Sequence, residues 1–117
     1  GGSIIHTSST MGHVAMQTRA VYCVSKFGIE GMSKAMALDL APHKIRSNTL
    51  APTFVETPLT KVMFENKAFL DLVMSNIKIG RLGKVEDLMG AIVFLASVAS
   101  AMMTGSSLVI DGGWTAA

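Results

Sequence analysis

Ala20-Val21-Tyr22-Cys23-Val24-Ser25-Lys26-Phe27-Gly28-Ile29-Glu30, continued by Gly31-Met32-Ser33-Lys34-Ala35-Met36-Ala37-Leu38-Asp39-Leu40 and then by Ile45-Arg46-Ser47-Asn48-Thr49-Leu50-Ala51-Pro52, decides the fold. The first part is apolar almost all round and is closed by Pro42, which predicts a helix over 20–40 buried on more than one side. Gly28, Gly31, Ala35 and Ala37 would let neighbours approach closely, as for a helix wedged between a sheet and another subunit. The second part is β-rich and predicts a strand over 45–51 stopped by Pro52.

Upstream, Ile4-Ile5-His6-Thr7 reads as a short strand after glycines, and residues 10–19, with Gly12 and His13, as a polar loop. Downstream, residues 53–60 read as a loop holding Pro58, and Phe69, Leu72 and Val73 mark a short helix over 68–76. Gly80-Arg81-Leu82-Gly83 is a connector. Glu86 and Asp87 then occupy the first turn of a last helix, where negative charge meets the positive end of the helix dipole. Thr104-Gly105-Ser106-Ser107 is a turn before a third strand, Leu108-Val109-Ile110, which Asp111-Gly112-Gly113 ends as a turn. Strand, helix, strand, helix, helix, strand predicts an α/β fold of parallel βαβ units with right-handed crossovers. Ligands in such sheets sit beyond the carboxyl ends of the strands, where Ser9, Pro52 with Thr53, and Asp111 with Gly112 fall.

The 117 residues suffice for one modest domain. Half are apolar and 15% are charged, against an average of about 25%, so much of the chain is buried in itself or against a partner. The net charge is +2, with Arg19, Lys26, Lys34, Lys44 and Arg46 scattered; a nucleic-acid partner would want a basic face and is not expected. Cys23 is the single cysteine and reads as a buried structural thiol, while His6, His13 and His43 show no ligand spacing, so no metal site is expected. Residues 88–110 form a run of 23 without a charge, long enough to cross a bilayer. Its second half is rich in Ser, Thr and Gly, and Val85, Leu88, Ile92, Leu95 and Ala99 step as an amphipathic helix, so no membrane span is expected. There is no secretory signal, and Gly1-Gly2-Ser3 looks like the interior of a domain whose upstream half lies elsewhere; a cytoplasmic location is expected.

Tyr22 and Lys26 are four residues apart, hence on one helix face, and Ser9 lies thirteen residues before the tyrosine. A cation held beside a phenol stabilises the phenolate, which general acid–base work near neutral pH requires. A serine hydroxyl beside it can orient a carbonyl or alcohol oxygen. The trio reads as a proton relay to a C–O centre. Ser8 is a near rival of Ser9, and only the spacing to Tyr22 selects between them. Taken alone, Tyr22 is also compatible with a half-buried structural aromatic and Lys26 with a solvated helix charge.

With these pieces in order, the chain resembles the C-terminal half of a classical short-chain dehydrogenase/reductase. The matching pieces are Ile4-Ile5-His6-Thr7-Ser8-Ser9, Tyr22-x-x-x-Lys26, Ile45-Arg46-Ser47-Asn48 leading to Ala51-Pro52, Val55 with Thr57-Pro58, Gly80-Arg81-Leu82-Gly83, and Thr104-Gly105 with Asp111-Gly112-Gly113. A lone Tyr-x-x-x-Lys carries little weight; the ordered set carries much. The resemblance implies a Rossmann-like parallel sheet, with residues 1–117 forming a single partial domain, the C-terminal half of a doubly wound three-layer α/β/α domain that lacks the dinucleotide-phosphate loop.

The activity it implies is interconversion of a secondary alcohol and a ketone with NAD or NADP. Tyr22 would be general acid in reduction and base in oxidation, Lys26 would hold the nicotinamide ribose hydroxyls, and Ser9 would hold the substrate oxygen. Pro52, Thr53, Val55 and Thr57 would line the nicotinamide, Val55 through its backbone and Thr57 through its hydroxyl. Met11 and Met16, on the loop between Ser9 and Tyr22, are the methionines expected to meet substrate, a small-molecule alcohol or ketone. The family usually has glycine where this chain has Thr53, and a proline near Val85 that this chain does not have. Its catalytic asparagine lies upstream, so Asn48 is expected to be structural. A homodimer or homotetramer is implied. The alternative from a different class is a non-catalytic half-domain or oligomerisation module, inactive without its N-terminal half.

Overall fold

The computed structural model describes residues 1–116. Three parallel strands, β1 (Gly2–Thr7), β2 (Ile45–Pro52) and β3 (Ser107–Ile110), form a sheet in that order. Gly2 pairs with Ile45 and Thr7 with Leu50, while Thr49 to Pro52 pair with Ser107 to Ile110. Helix α1 (Ala20–Leu40) joins β1 to β2, with the bounds that Pro42 dictates. After β2 come α2 (Pro58–Met63), α3 (Lys67–Asn76) and α4 (Glu86–Ala96), the last leading to β3.

The middle strand sorts the helices between the two sheet faces. Side chains alternate along a strand, so Ser47 and Thr49 share one face and Arg46 and Asn48 the other. Ser47 Oγ meets Ser33 of α1 at 3.0 Å, and Thr49 donates to Glu30 of α1 at 2.9 Å. On the opposite face Arg46 donates to the carbonyls of Leu95 and Ser97 at 3.0 and 3.2 Å, a cation on the carbonyl end of α4. Helices therefore cover both faces, giving three layers. Because β1, β2 and β3 follow one another in a single direction while α1 and α4 lie on opposite faces, the two connections have opposite hands. The expectation of right-handed crossovers throughout is thus corrected. The exception is set by Arg46 and Ser3, whose polar groups both hold the Leu95 carbonyl on the α4 side.

One other expectation changes. Residues 53–60 are not all loop, because α2 begins at Pro58. Thr57 is its N-cap, accepting from Thr60 N at 3.2 Å, and the Thr60 hydroxyl returns a bond from Thr57 N at 2.9 Å. Within the single chain, α1 buries only one face, and the residues on it are small or polar: Cys23, Glu30, Ser33 and Ala37. Val21 and Val24 on the other side are 85% and 73% exposed.

Asn48 is fully buried and structural. Its amide donates to Met103 O at 2.9 Å and accepts from Ser106 N at 3.0 Å, pinning the turn before β3. The uncharged run 88–110 splits into α4, a one-turn 3-10 helix at Val98–Ser100 and β3; among the described residues, no helix is long and apolar enough to cross a membrane. With Val85 at its N-cap offering no side-chain cap, α4 instead opens with Asp87, which accepts from Lys84 N at 2.8 Å. Arg81 donates twice to the same carboxylate, and this hydrogen bonding holds Asp87 below the usual carboxylate range.

The chain closes with a turn in which Asp111 accepts from Gly113 N and Thr115 N at 3.1 and 2.8 Å. Burial by itself would push that carboxyl up; the hydrogen bonds from Thr115 and Gly113 outweigh it and hold it below the ordinary range. Gly112 sits here at φ +61°, and a Cβ on it would lie 2.7 Å from Cγ2 of the buried Ile77. Gly112→Ala combines a left-handed backbone with overpacking and is expected to destabilise by about 2 kcal/mol. Urea unfolding reads this directly, and an unshifted midpoint would refute the packing assigned to this turn.

Candidate functional site

Beyond the carboxyl ends of β1 and β2 lies a cavity of about 510 Å³. Its floor begins where β1 stops. Ser9 is the N-cap of a one-turn 3-10 helix, Thr10–Gly12, and its Oγ accepts from Met11 N at 3.1 Å. That leaves the Ser9 hydroxyl proton free to be donated into the cavity. Thr10 donates to Pro52 O at 3.3 Å and so ties this turn to the end of β2. Ser8 also lines the cavity, but its buried Oγ has no partner and lies against Gly12, where a Cβ would approach it to 2.6 Å.

Another wall is the first two turns of α1. Tyr22 and Lys26 both face the cavity, and Lys26 Nζ lies 5.6 Å from the Tyr22 ring centroid. The helical step of four thus does what the sequence spacing demands. Lys26 Nζ donates to Thr7 O at 3.3 Å, fixing the ammonium at the last residue of β1. Two of its three N–H groups have no protein acceptor among the described residues. Cys23, one residue on from the tyrosine, points into the core as a free thiol.

Pro52, Thr53, Val55 and Thr57 form a third side. This segment is stiffened by a bridge between Val55 and Gly83, with Glu56 N donating to Gly83 O at 2.8 Å and Gly83 N to Phe54 O at 2.9 Å. The Val55 N–H itself has no acceptor among the described residues, whereas its carbonyl accepts from Thr60 Oγ1 at 2.7 Å. Thr53 Oγ1 is buried without a partner beside the cavity. The Thr57 hydroxyl, expected near a cofactor, lines the cavity while also capping α2.

Met11 and Met16 border the cavity as well, and they differ. Met11 is buried in a core cluster with Cys23, Val73, Ile77 and Trp114; Met16 packs at its edge. Sequence reasoning missed several contributors, Thr7, Thr10 and Phe54 among them. Leu59, Thr60 and Met63 come from α2, whose start was signalled by Thr57-Pro58 with Thr60 at the third helical position. Arg19, set among scattered charges, is the N-cap of α1 and lines the same space.

Chemically, the arrangement gathers a phenol, an ammonium, a serine hydroxyl with a free proton, and an unpartnered backbone N–H around a mostly apolar space. Comparison with known proteins gives this geometry its context. A family model described as Enoyl-(Acyl carrier protein) reductase matches residues 1–115. The chain is 40% identical over 113 residues to the D-erythrulose reductase of Gallus gallus, covering 97% of this chain and 46% of that protein. It is 42% identical over 116 residues to the trans-4-hydroxycyclohexanecarboxylate dehydrogenase of Sinomonas cyclohexanicum, covering 99% of this chain and 42% of that one. The crystal structure of a gluconate 5-dehydrogenase from Burkholderia cenocepacia J2315, in complex with NADP and tartrate, aligns with a TM-score of 0.92 at 38% identity. That alignment covers 97% of this chain and 45% of the other. The chain therefore spans less than half the length of the relatives it matches. Sheet, helices, ordered motifs and relatives agree: the chain belongs to the short-chain dehydrogenase/reductase family.

Proposed function

We propose that residues 1–117 are the catalytic half of a Rossmann-like domain that interconverts a secondary alcohol and a ketone using NAD or NADP. The observation that carries this is the meeting of Ser9, Tyr22, Lys26 and the segment 52–57 around one cavity. Relatives named for reducing D-erythrulose and L-xylulose support a small carbonyl substrate. A neighbour holding NADP supports a nicotinamide cofactor.

The residues suit such a cofactor. Lys26 has donors to spare for ribose hydroxyls, and the unpartnered Val55 N–H suits a carboxamide oxygen. Thr53 Oγ1, buried without a partner, would gain one from a bound polar group. When bound, the nicotinamide supplies or takes up the hydride. In reduction, Tyr22 donates its phenolic proton to the carbonyl oxygen, while the Ser9 hydroxyl donates a hydrogen bond to that same oxygen. In oxidation, the Tyr22 oxygen receives the proton from the alcohol. The Lys26 ammonium, held on Thr7 O with Nζ 5.6 Å from the Tyr22 ring centroid, stands beside the phenol and takes no part in the proton transfer itself.

The test combines titration with NADH and NADPH and a spectrophotometric assay on a panel of ketones. Ser9→Ala is expected to lower kcat/KM by about 10²-fold, as for removal of one oxyanion-type donor, with weaker substrate binding. Equal kinetics would remove Ser9 from the site.

One observation favours a second reading, that of a non-catalytic half-domain or oligomerisation module. Apolar side chains remain uncovered on α1 and beyond α4, with Val21 and Val98 at 85% and 90% exposure. The same faces support assembly into a homodimer or homotetramer. Ordinary nucleotide affinity in the 117-residue chain would argue for the enzyme and against the inert module.

A further inference from the structure

We propose that the substrate carries a carboxylate and that Arg19 selects for it, an inference resting on the oxidoreductase reading above. Arg19, the N-cap of α1, stands three residues before Tyr22, and both line the cavity. The chain is strained to hold it there. Thr18, a β-branched residue, sits at φ 62°, a left-handed conformation such residues rarely adopt, and strain of this kind concentrates at functional sites.

The Thr18 carbonyl and Oγ1 both accept from Arg19 Nη1, at 3.3 and 3.1 Å, and the guanidinium carbon lies 5.3 Å from the Phe69 ring centroid. The head group is thus fixed by one nitrogen and one face. Its Nε and Nη2 have no acceptor among the described residues. No aspartate or glutamate is among the described residues lining the cavity, and its apolar lining includes Met11, Met16, Leu59 and Met63.

Two cations in a largely apolar space without a carboxylate leave a charge to be balanced. Lys26 is occupied by its cofactor role, so the uncompensated group is Arg19. Its planar fork matches a carboxylate through two parallel N–H···O bonds. One guanidinium balances one negative charge, which fits a carboxylate better than a phosphate dianion. The substrate is then a keto acid or hydroxy acid with its charge a few bonds from the reacting carbon.

The test uses the full-length protein and keto acids from 3-oxobutanoate to 6-oxoheptanoate, each paired with its methyl ester. At one chain length or more, kcat/KM for the acid is expected to exceed that for the ester by about 30-fold or more, the scale of a hydrogen-bonded charge pair. Arg19→Gln should collapse this ratio, chiefly through KM for the acid, and Arg19→Lys should keep part of it. Acids and esters used equally, or a ratio unmoved by Arg19→Gln, would overturn the assignment of Arg19 and leave the oxidoreductase standing. Absence of both nucleotide binding and ketone turnover would overturn the two together.

Discussion

Tyr22→Phe is expected to lower kcat by about 10³-fold, within the range that general acid–base groups contribute, while NAD(P)H affinity stays within a few-fold. The substitution removes a single oxygen. Tyr22 is 45% exposed in the isolated chain, so the ring is not a core element whose loss would unfold the domain. The phenylalanine ring keeps its place against Lys26, whose ammonium remains anchored on Thr7 O. Only the atom proposed to exchange a proton with substrate is gone. Steady-state kinetics and a nucleotide titration on the same preparation separate the two quantities, and thermal unfolding checks the fold. Turnover within a few-fold of the parent would remove Tyr22 from the chemistry and the proton relay with it.

Much of this architecture was legible in the chain. Helix α1 could be bounded because no proline breaks its apolar-rich run until Pro42, and a candidate site could be proposed because residues just past strand ends face the ligand side of a parallel sheet. What remained hidden was tertiary. The hand of the second crossover depends on which face of β2 receives α4, and this follows from Arg46 reaching the Leu95 carbonyl, a contact 49 residues away in sequence. The sheet-facing side of α1 defied its composition. Close approach to the strands is made through Ser33 and Glu30 paired with Ser47 and Thr49, and the bulky apolar residues are turned outward. Helix α2 was obscured because Thr57-Pro58 signals a turn and a helix start equally well until Thr60 is seen to complete the cap. Arg19 had no location in a sequence of scattered charges; it acquires one only when the loop before α1 folds back beside Tyr22.

Lys26→Ala should differ from Tyr22→Phe by damaging two functions at once. One N–H of the ammonium is committed to Thr7 O at 3.3 Å, and the others are available to ribose hydroxyls. Hydrogen bonds to a charged group contribute about 1.5–3 kcal/mol, so nucleotide affinity should fall about 10- to 100-fold. The same deletion removes the positive charge 5.6 Å from the Tyr22 ring, and turnover at saturating nucleotide should fall by about 10²–10⁴-fold as well. The double variant separates these roles. If the lysine assists the proton step only through the tyrosine, adding Lys26→Ala to Tyr22→Phe will lower turnover little further, because groups acting as a unit are non-additive. The loss of nucleotide affinity will persist undiminished in that background, since it never depended on the phenol. Additive losses in turnover would mean that Lys26 acts on the substrate by a separate route, and an intact nucleotide affinity in Lys26→Ala would detach it from the cofactor altogether.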